Sequence, residues 1–189
     1  MFLVCSYSSA MVDSLERLAG IPERSIDVDG AGLVPSAVTS AHVTRGVLRL
    51  FARNDIWCLT EMPLRGGRRA DIMGIDAKGR IVIVEIKVAR ADLLGDSKWT
   101  DYLEFCDRFY WGLAPHLDRA CMHTEAFRPE VCGLIVADGY DAEILRPAAS
   151  LPLATARRKV EVERLARASM RRQVVSADPM LSAWGNEDR

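Results

Sequence analysis

Hydrophobic and polar positions along the chain fall into stretches of two different periods. In "SAVTSAHVTRGVLRLFARND", Val43, Val47, Leu50 and Phe51 recur every three to four residues, which predicts an amphipathic helix. Another face of that helix carries Arg45, Arg49 and Arg53 at intervals of four. "IWCLTEMPL" (Ile56–Leu64) reads as a strand, and "GG" breaks the chain after it. "RRADIMGID" (Arg68–Asp76) and "RIVIVEIKVA" (Arg80–Ala89) read as two strands joined by the turn "DAKG". "ADLLGDSKWTDYLEFCDRFY" is expected to be helical from about Asp96. Trp99, Tyr102, Leu103 and Cys106 then turn inward, with Lys98, Asp101, Glu104 and Asp107 mostly opposite. "FYWGLA", "VCGLIVADG" and an edge-like "DAEILRPA" supply further strands, with a short helix and loop in "PHLDRACMHTEAF". "ATARRKVEVERLARASMRR" closes the fold as an amphipathic helix with Val160, Leu165 and Met170 near one side. This order predicts an α/β fold, a mixed central β-sheet flanked by helices on both faces.

Length changes the picture little: 189 residues suit one domain with short extensions. The expected division is an N-terminal extension over 1–35, a domain over 36–173 and a tail over 174–189. Residues 1–35 are punctuated by Gly and Pro, with at most one short helix around Met11–Ala19. The opening "MFLVCSYSSAM" lacks a basic n-region and a convincing h-region, so no signal peptide is expected, and Met11 is an alternative start. No apolar run approaches the length of a membrane span. Five cysteines at irregular spacing, without a C-x-x-C, fit reduced thiols in a cytoplasm. Cys106, His116, Cys121, His123 and Cys132 match no standard zinc spacing. His42, His116 and His123 show no convergent partners and receive no catalytic role. A net charge of −1 gives no overall nucleic-acid signal, yet Arg157 to Arg172 hold seven Lys or Arg against two Glu.

The stretch "VEIKVAR" (Val84–Arg90) changes the picture most. Val82, Val84, Ile86 and Val88 form one wall of an apolar strand, and Ile81 and Ile83 lie on the other. Glu85 and Lys87 interrupt it, although buried charge is tolerated only when paired or bound to a cation. A three-residue loop Ala77-Lys78-Gly79 pairs Asp76 with Arg80 and sets Asp71 directly opposite Glu85. Side chains so paired share a face, with Cβ atoms about 5 Å apart, and Lys87 lies two residues further along that face. Two opposed carboxylates repel, and a divalent cation resolves the conflict: Asp71 and Glu85 supply hard oxygen ligands. Lys87 then holds the attacking water or a developing phosphorane charge. The competing reading is an ion pair of Lys87 with Glu85 or Asp71 at a sheet edge.

At these residues the sequence resembles the PD-(D/E)XK nuclease superfamily, with Ala70-Asp71 as the first element and Glu85-Ile86-Lys87 as the second. Ala70 stands where the family's name has Pro. More narrowly, "GRRAD", "IVEIK", "D-x-KW-x-x-Y" and "CDRFY" make the run from about Ser40 to Asp138 similar to the MmcB-like DNA repair proteins. The resemblance implies a restriction-endonuclease-like core and a deoxyribonuclease that uses Mg²⁺ or Mn²⁺. Some such nucleases carry a further acidic residue before the Asp. Glu61 on the first strand is the candidate, as an added ligand or water-orienting carboxylate. Its ordinary role would be an exposed strand-end glutamate.

Arg68 and Arg69 could clamp a phosphate by bidentate contacts or pair with nearby carboxylates. In the family's fold the second helix packs close to the site, which implies that Lys98 at its start touches the DNA backbone. Trp99 and Tyr102 read as core in preference to base-stacking platforms. Arg45, Arg49, Arg53 and the basic helix from Arg157 are further candidates for backbone contact. The expected function is DNA repair with phosphodiester hydrolysis by Asp71, Glu85, Lys87 and Glu61. A second reading is a non-cleaving DNA-structure-binding or adaptor module. A third, hydrolysis of another substrate, lacks a G-x-S-x-G, P-loop or G-x-G-x-x-G motif. DNA is the expected partner, with no membrane, and a homodimer and repair-pathway proteins are further partners open to it.

Overall fold

The chain divides into Met1–Ser36 and Ala37–Arg189, and a computed structural model describes residues 38–95 and 98–184. The helix expected around Met11–Ala19 lies outside the described residues. Helix α1 (Ser40–Arg53) starts where Thr39 and His42 cap each other: the Thr39 hydroxyl accepts the His42 amide, and the His42 ring accepts the Thr39 amide. It buries Val43, Gly46, Val47 and Phe51; of the apolar stripe read from the sequence, Leu50 is only partly buried, and Gly46 joins the buried face. Strands β1 (Ile56–Pro63), β2 (Arg69–Asp76) and β3 (Ile81–Lys87) follow as an antiparallel meander. Strands β4 (Arg108–Leu113) and β5 (Gly133–Ala137) continue the sheet in parallel, and β6 (Ala142–Arg146) closes it antiparallel. The result is one open six-stranded mixed sheet in the order β1-β2-β3-β4-β5-β6, an α/β fold consistent with a restriction-endonuclease-like core.

Alternation along β4 shows which element covers which face. Tyr110 meets Phe51 of α1 edge-on at 6.1 Å between ring centroids. Phe109 and Trp111 point to the other face, where Trp99 stacks on Phe109 at 5.6 Å and Phe127 meets Trp111 at 5.5 Å. Trp99 and Tyr102 are buried, so they belong to the core. Among the described residues no helix is long and apolar enough to cross a membrane.

Gly46 packs against the turn between β5 and β6. A Cβ there would stand 2.5 Å from the carbonyl oxygens of both Asp138 and Asp141, backbone atoms that cannot rotate aside. Gly46→Ala is therefore expected to lower stability by about 1–3 kcal/mol through overpacking, read as a shift in the denaturation midpoint at unchanged m-value.

Two helical expectations need correction. The long helix expected from about Asp96 is instead α2 (Arg90–Gly95) followed by a 3₁₀ segment, Trp99–Glu104. The spacing of Trp99 and Tyr102 fits a three-residue turn as well as an α-helix, and burial of both rings selects the tighter form. Asp107, expected on a solvated helix face, is 1% exposed. Its carboxylate accepts the amides of Ile81 (2.8 Å) and Leu153 (2.9 Å) and the Arg158 guanidinium, which ties β3, β4 and the last helix together.

Helix α3 (Thr155–Ala177) extends past the expected end at Arg172 and buries Glu161 and Leu165, not Met170, which is 64% exposed. Beyond the Arg158–Asp107 contact, it meets the edge strand β1 through arginines. Glu161 sits between Arg157 (3.9 Å) and Arg164 (2.8 Å). Arg164 reaches the Pro63 carbonyl, and Arg172 reaches those of Thr60 (2.6 Å) and Glu61 (3.4 Å). A helix docked by arginines on backbone carbonyls needs little apolar area, which is why the apolar positions did not mark its buried side.

Candidate active site

The turn between β2 and β3 sets the geometry. Asp76 holds the loop: its carboxylate accepts the Lys78 and Arg80 amides at 2.9 Å each, and Gly79 takes a φ of 73°. The pairing that follows is Ile75↔Ile81, Gly74↔Val82, Met73↔Ile83 and Ile72↔Val84. This is the expected register, and carried one pair further it opposes Asp71 to Glu85. On the other side of β2, the pairs Thr60↔Ile72 and Met62↔Ala70 bracket Glu61 and Asp71. Three adjacent strands thus bring Glu61, Asp71 and Glu85 to one level, just before the C-terminal end of β3.

Each carboxylate is held differently. Asp71 accepts the Ile86 amide at 2.7 Å, so its side chain takes a hydrogen bond from the backbone of β3. Burial raises its pKa above the ordinary carboxylate value; the Ile86 amide and the Lys87 charge oppose that rise. Glu85 and Lys87 are both buried, at 7% and 4% exposure, with Lys87 Nζ 3.4 Å from Glu85 Oε1. The same ammonium lies 3.6 Å from Asp92 on α2. Glu61 is half exposed and is paired to Arg69 Nε at 2.5 Å. Its backbone φ of 52° is left-handed, a strained conformation for a residue with a Cβ.

These groups line a polar cleft of about 330 Å³ with Ser40, Thr44, Ile86, Val88 and Asp92. It opens at the carboxyl end of β3, on the antiparallel side of the sheet, beside Glu61 of β1 and Asp71 of β2. Ser40, Thr44 and Asp92 escaped the sequence reading. Ser40 and Thr44 read only as polar helix positions, and Asp92 lacked any motif. Among the described residues no three His, Cys, Asp or Glu side chains gather closely enough to hold a metal ion. Four carboxylates line the cleft, and two of them, Glu61 and Asp92, face Arg69 and Lys87, which leaves Asp71 and Glu85 as the donor pair across β2 and β3. That pair fits Mg²⁺, which takes one or two protein carboxylates and fills its remaining positions with water and phosphate oxygen.

The candidate DNA-contacting residues are dispersed. Arg68 pairs with Asp101 at 2.7 Å and Arg69 with Glu61. Arg49 donates to the Tyr140 carbonyl at 2.9 Å, Arg53 pairs with Asp141, and Lys98 is exposed beside the 3₁₀ segment. Arg45 is exposed on α1. Burial pushes the Cys58 thiol up to about 12, and Cys106 and Cys132 are likewise raised, which keeps all three protonated and poor nucleophiles.

Asp71 also gives a stability test. Its raised folded-state pKa means that the folded protein gives up this proton reluctantly. No penalty exists while both states are protonated, and it grows as pH rises from the unfolded value through the raised one. Asp71→Asn keeps an acceptor for the Ile86 amide and removes the penalty. It should therefore melt higher than wild type at pH 7, with the gain shrinking toward pH 4. A variant that melts lower than wild type at pH 7 would refute this account of the site.

Comparison with known proteins adds three findings. No protein of curated function matches the chain. A solved structure, the SPO1766 protein of unknown function from Silicibacter pomeroyi, is 38% identical with a TM-score of 0.65; the match covers 75% of this chain and 92% of that one. The family described as DNA repair protein MmcB-like matches residues 34–180, a span that includes every residue of the cleft. The chain therefore belongs to the MmcB-like family of DNA repair proteins.

Proposed function

We propose that this DNA repair protein is a metal-dependent nuclease of the PD-(D/E)XK type that hydrolyses DNA phosphodiester bonds. The observation that carries the proposal is that Asp71 and Glu85, each one residue beyond the last β2–β3 pair Ile72↔Val84, line one cleft with buried Lys87. Mg²⁺ or Mn²⁺ would be held by Asp71 and Glu85 and would supply Lewis-acid polarisation of the scissile phosphate. Glu61, one strand away, is the third acid at the same level. Lys87 donates to the attacking water and to the phosphoryl oxygen on which charge grows. Glu85 and Asp92 orient that ammonium, at 3.4 Å and 3.6 Å.

A second reading has its own support. Lys87 and Arg69 already stand against Glu85 and Glu61, an arrangement that also suits a module binding DNA structures without cutting them. One experiment separates the two. Wild type, Asp71→Ala and Lys87→Ala are incubated with branched, nicked and linear DNAs plus Mg²⁺ or Mn²⁺. Cleavage by wild type alone is the expected result. Equal cleavage by all three forms would sink the site assignment, and binding without cleavage by any form would establish the second reading.

A further inference from the structure

A groove of about 690 Å³ runs beside the acidic cleft, between one face of α1 and strand β1. Ser40, Thr44 and Glu61 line both, so the two are continuous. The face of α1 that borders it is Ala41, Thr44, Arg45, Leu48 and Ala52, distinct from the face packed on the sheet. Its floor is therefore aliphatic, with Leu48 half-buried and Ala41 and Ala52 exposed.

The rim is cationic. Arg45 and Arg49 line it from α1, and Arg172 of α3 reaches the carbonyls of Thr60 and Glu61 on the opposite wall. Arg49 and Arg172 are positioned by carbonyl groups, which orient a guanidinium without cancelling its charge. Negative charge at the junction comes from Glu61, and Arg69 offsets it. The picture is an uncharged floor, Arg45 and Arg49 along the α1 wall, Arg172 held on the backbone of the β1 wall, and the acidic cleft at one end.

We infer that this groove binds unpaired nucleotides of a DNA strand whose backbone continues into the cleft, so that the substrate class is DNA with a single-stranded segment. The inference rests on DNA as the partner proposed above and not on cleavage. A duplex keeps its base faces stacked inside and offers an aliphatic floor nothing to cover. An unpaired strand presents base faces to the floor and phosphates to the arginines at once. The volume lies within the roughly 300–1,000 Å³ of pockets that enclose small ligands, enough for an unpaired nucleotide. Backbone contacts through arginines also place the strand without reading its sequence.

Fluorescence anisotropy in EDTA tests this without any hydrolysis. The probes are a labelled oligothymidylate, a blunt duplex of equal length and a forked duplex with one unpaired arm. Wild type should bind the oligothymidylate and the fork about tenfold or more tighter than the blunt duplex. Ala52→Glu, at an exposed position, sets a carboxylate in the groove without touching the core. It should weaken both preferred probes by roughly tenfold and leave the blunt duplex unchanged. Arg45→Ala should lower the slope of log affinity against log salt by about 0.7 for the unpaired probe.

Equal affinity for unpaired and blunt DNA overturns the inference, as does an Ala52→Glu variant that binds like wild type. Occupation of the groove by another part of the chain would show as no binding of the oligothymidylate and equally overturns it. Preference for unpaired DNA together with no cleavage under any metal would sink the hydrolytic proposal and leave the groove standing.

Discussion

Replacing Asp107 by alanine is expected to lower stability by about 3–5 kcal/mol, the cost of breaking a buried charge pair. For a domain of this size that is a fall in Tm of roughly 6–20 °C. The carboxylate is 1% exposed and serves donors from three parts of the chain: the Ile81 amide, the Leu153 amide and Arg158. Alanine leaves two backbone amides unsatisfied as well as a cation without its partner. The backbone of Asp107 adds to the same junction, since its amide donates to the Ile81 carbonyl and its carbonyl accepts the Leu151 amide, both at 2.8 Å. Asp107→Asn should recover part of the loss, because it can still accept a hydrogen bond but cannot pair with Arg158. Chemical denaturation of the three proteins checks the order wild type, Asn, Ala. An alanine variant as stable as wild type would show that the network contributes nothing.

Lys87→Met carries the largest expected effect on activity. Under the proposed hydrolysis, loss of one preorganised donor at the reacting phosphate is expected to reduce kcat by about 10²–10³-fold. Methionine has nearly the length of the lysine stem, so the site keeps its packing, and the aliphatic part of Lys87 is already buried. The charge that acts in the transition state is then what disappears. DNA affinity should change far less than kcat, since the interaction strengthens as charge develops. Single-turnover cleavage at saturating protein, beside anisotropy for binding, separates the two quantities. A loss confined to binding would move Lys87 from the chemistry to substrate capture.

How far the sequence revealed this site depends on the kind of interaction involved. The β2–β3 register, as far as Ile72↔Val84, was legible because a short turn with Gly79 at its end leaves few registers. In an apolar strand, alternation also fixes which residues share a face. The six strands and α1 were legible for the same reason: local period and turn chemistry agree with the final packing. The 3₁₀ segment at Trp99–Glu104 was not, because spacings of three and four residues fit either kind of helix until the sheet claims the rings. Asp107 was misjudged because its partners, Leu153 and Arg158, lie more than forty residues away in sequence. Charge patterning by itself marks such an aspartate as solvated. Arg69 could be assigned only to alternatives, phosphate or carboxylate; its contact with Glu61 depends on pairing between β1 and β2.

The arginine seam of α3 has a consequence for how copies of the protein can meet. An edge strand with open carbonyls is a template onto which another chain can add a strand. On β1 the carbonyls of Thr60, Glu61 and Pro63 already accept hydrogen bonds from Arg172 and Arg164. These acceptors belong to the C-terminal half of β1, the half that borders the cleft, so that half is closed to an incoming strand. Among the described residues β6 forms the other border of the sheet. Ile144 and Leu145 are partly exposed there. Strand addition beside the acidic cleft is thereby opposed, and self-association through β6 would leave the cleft open to DNA.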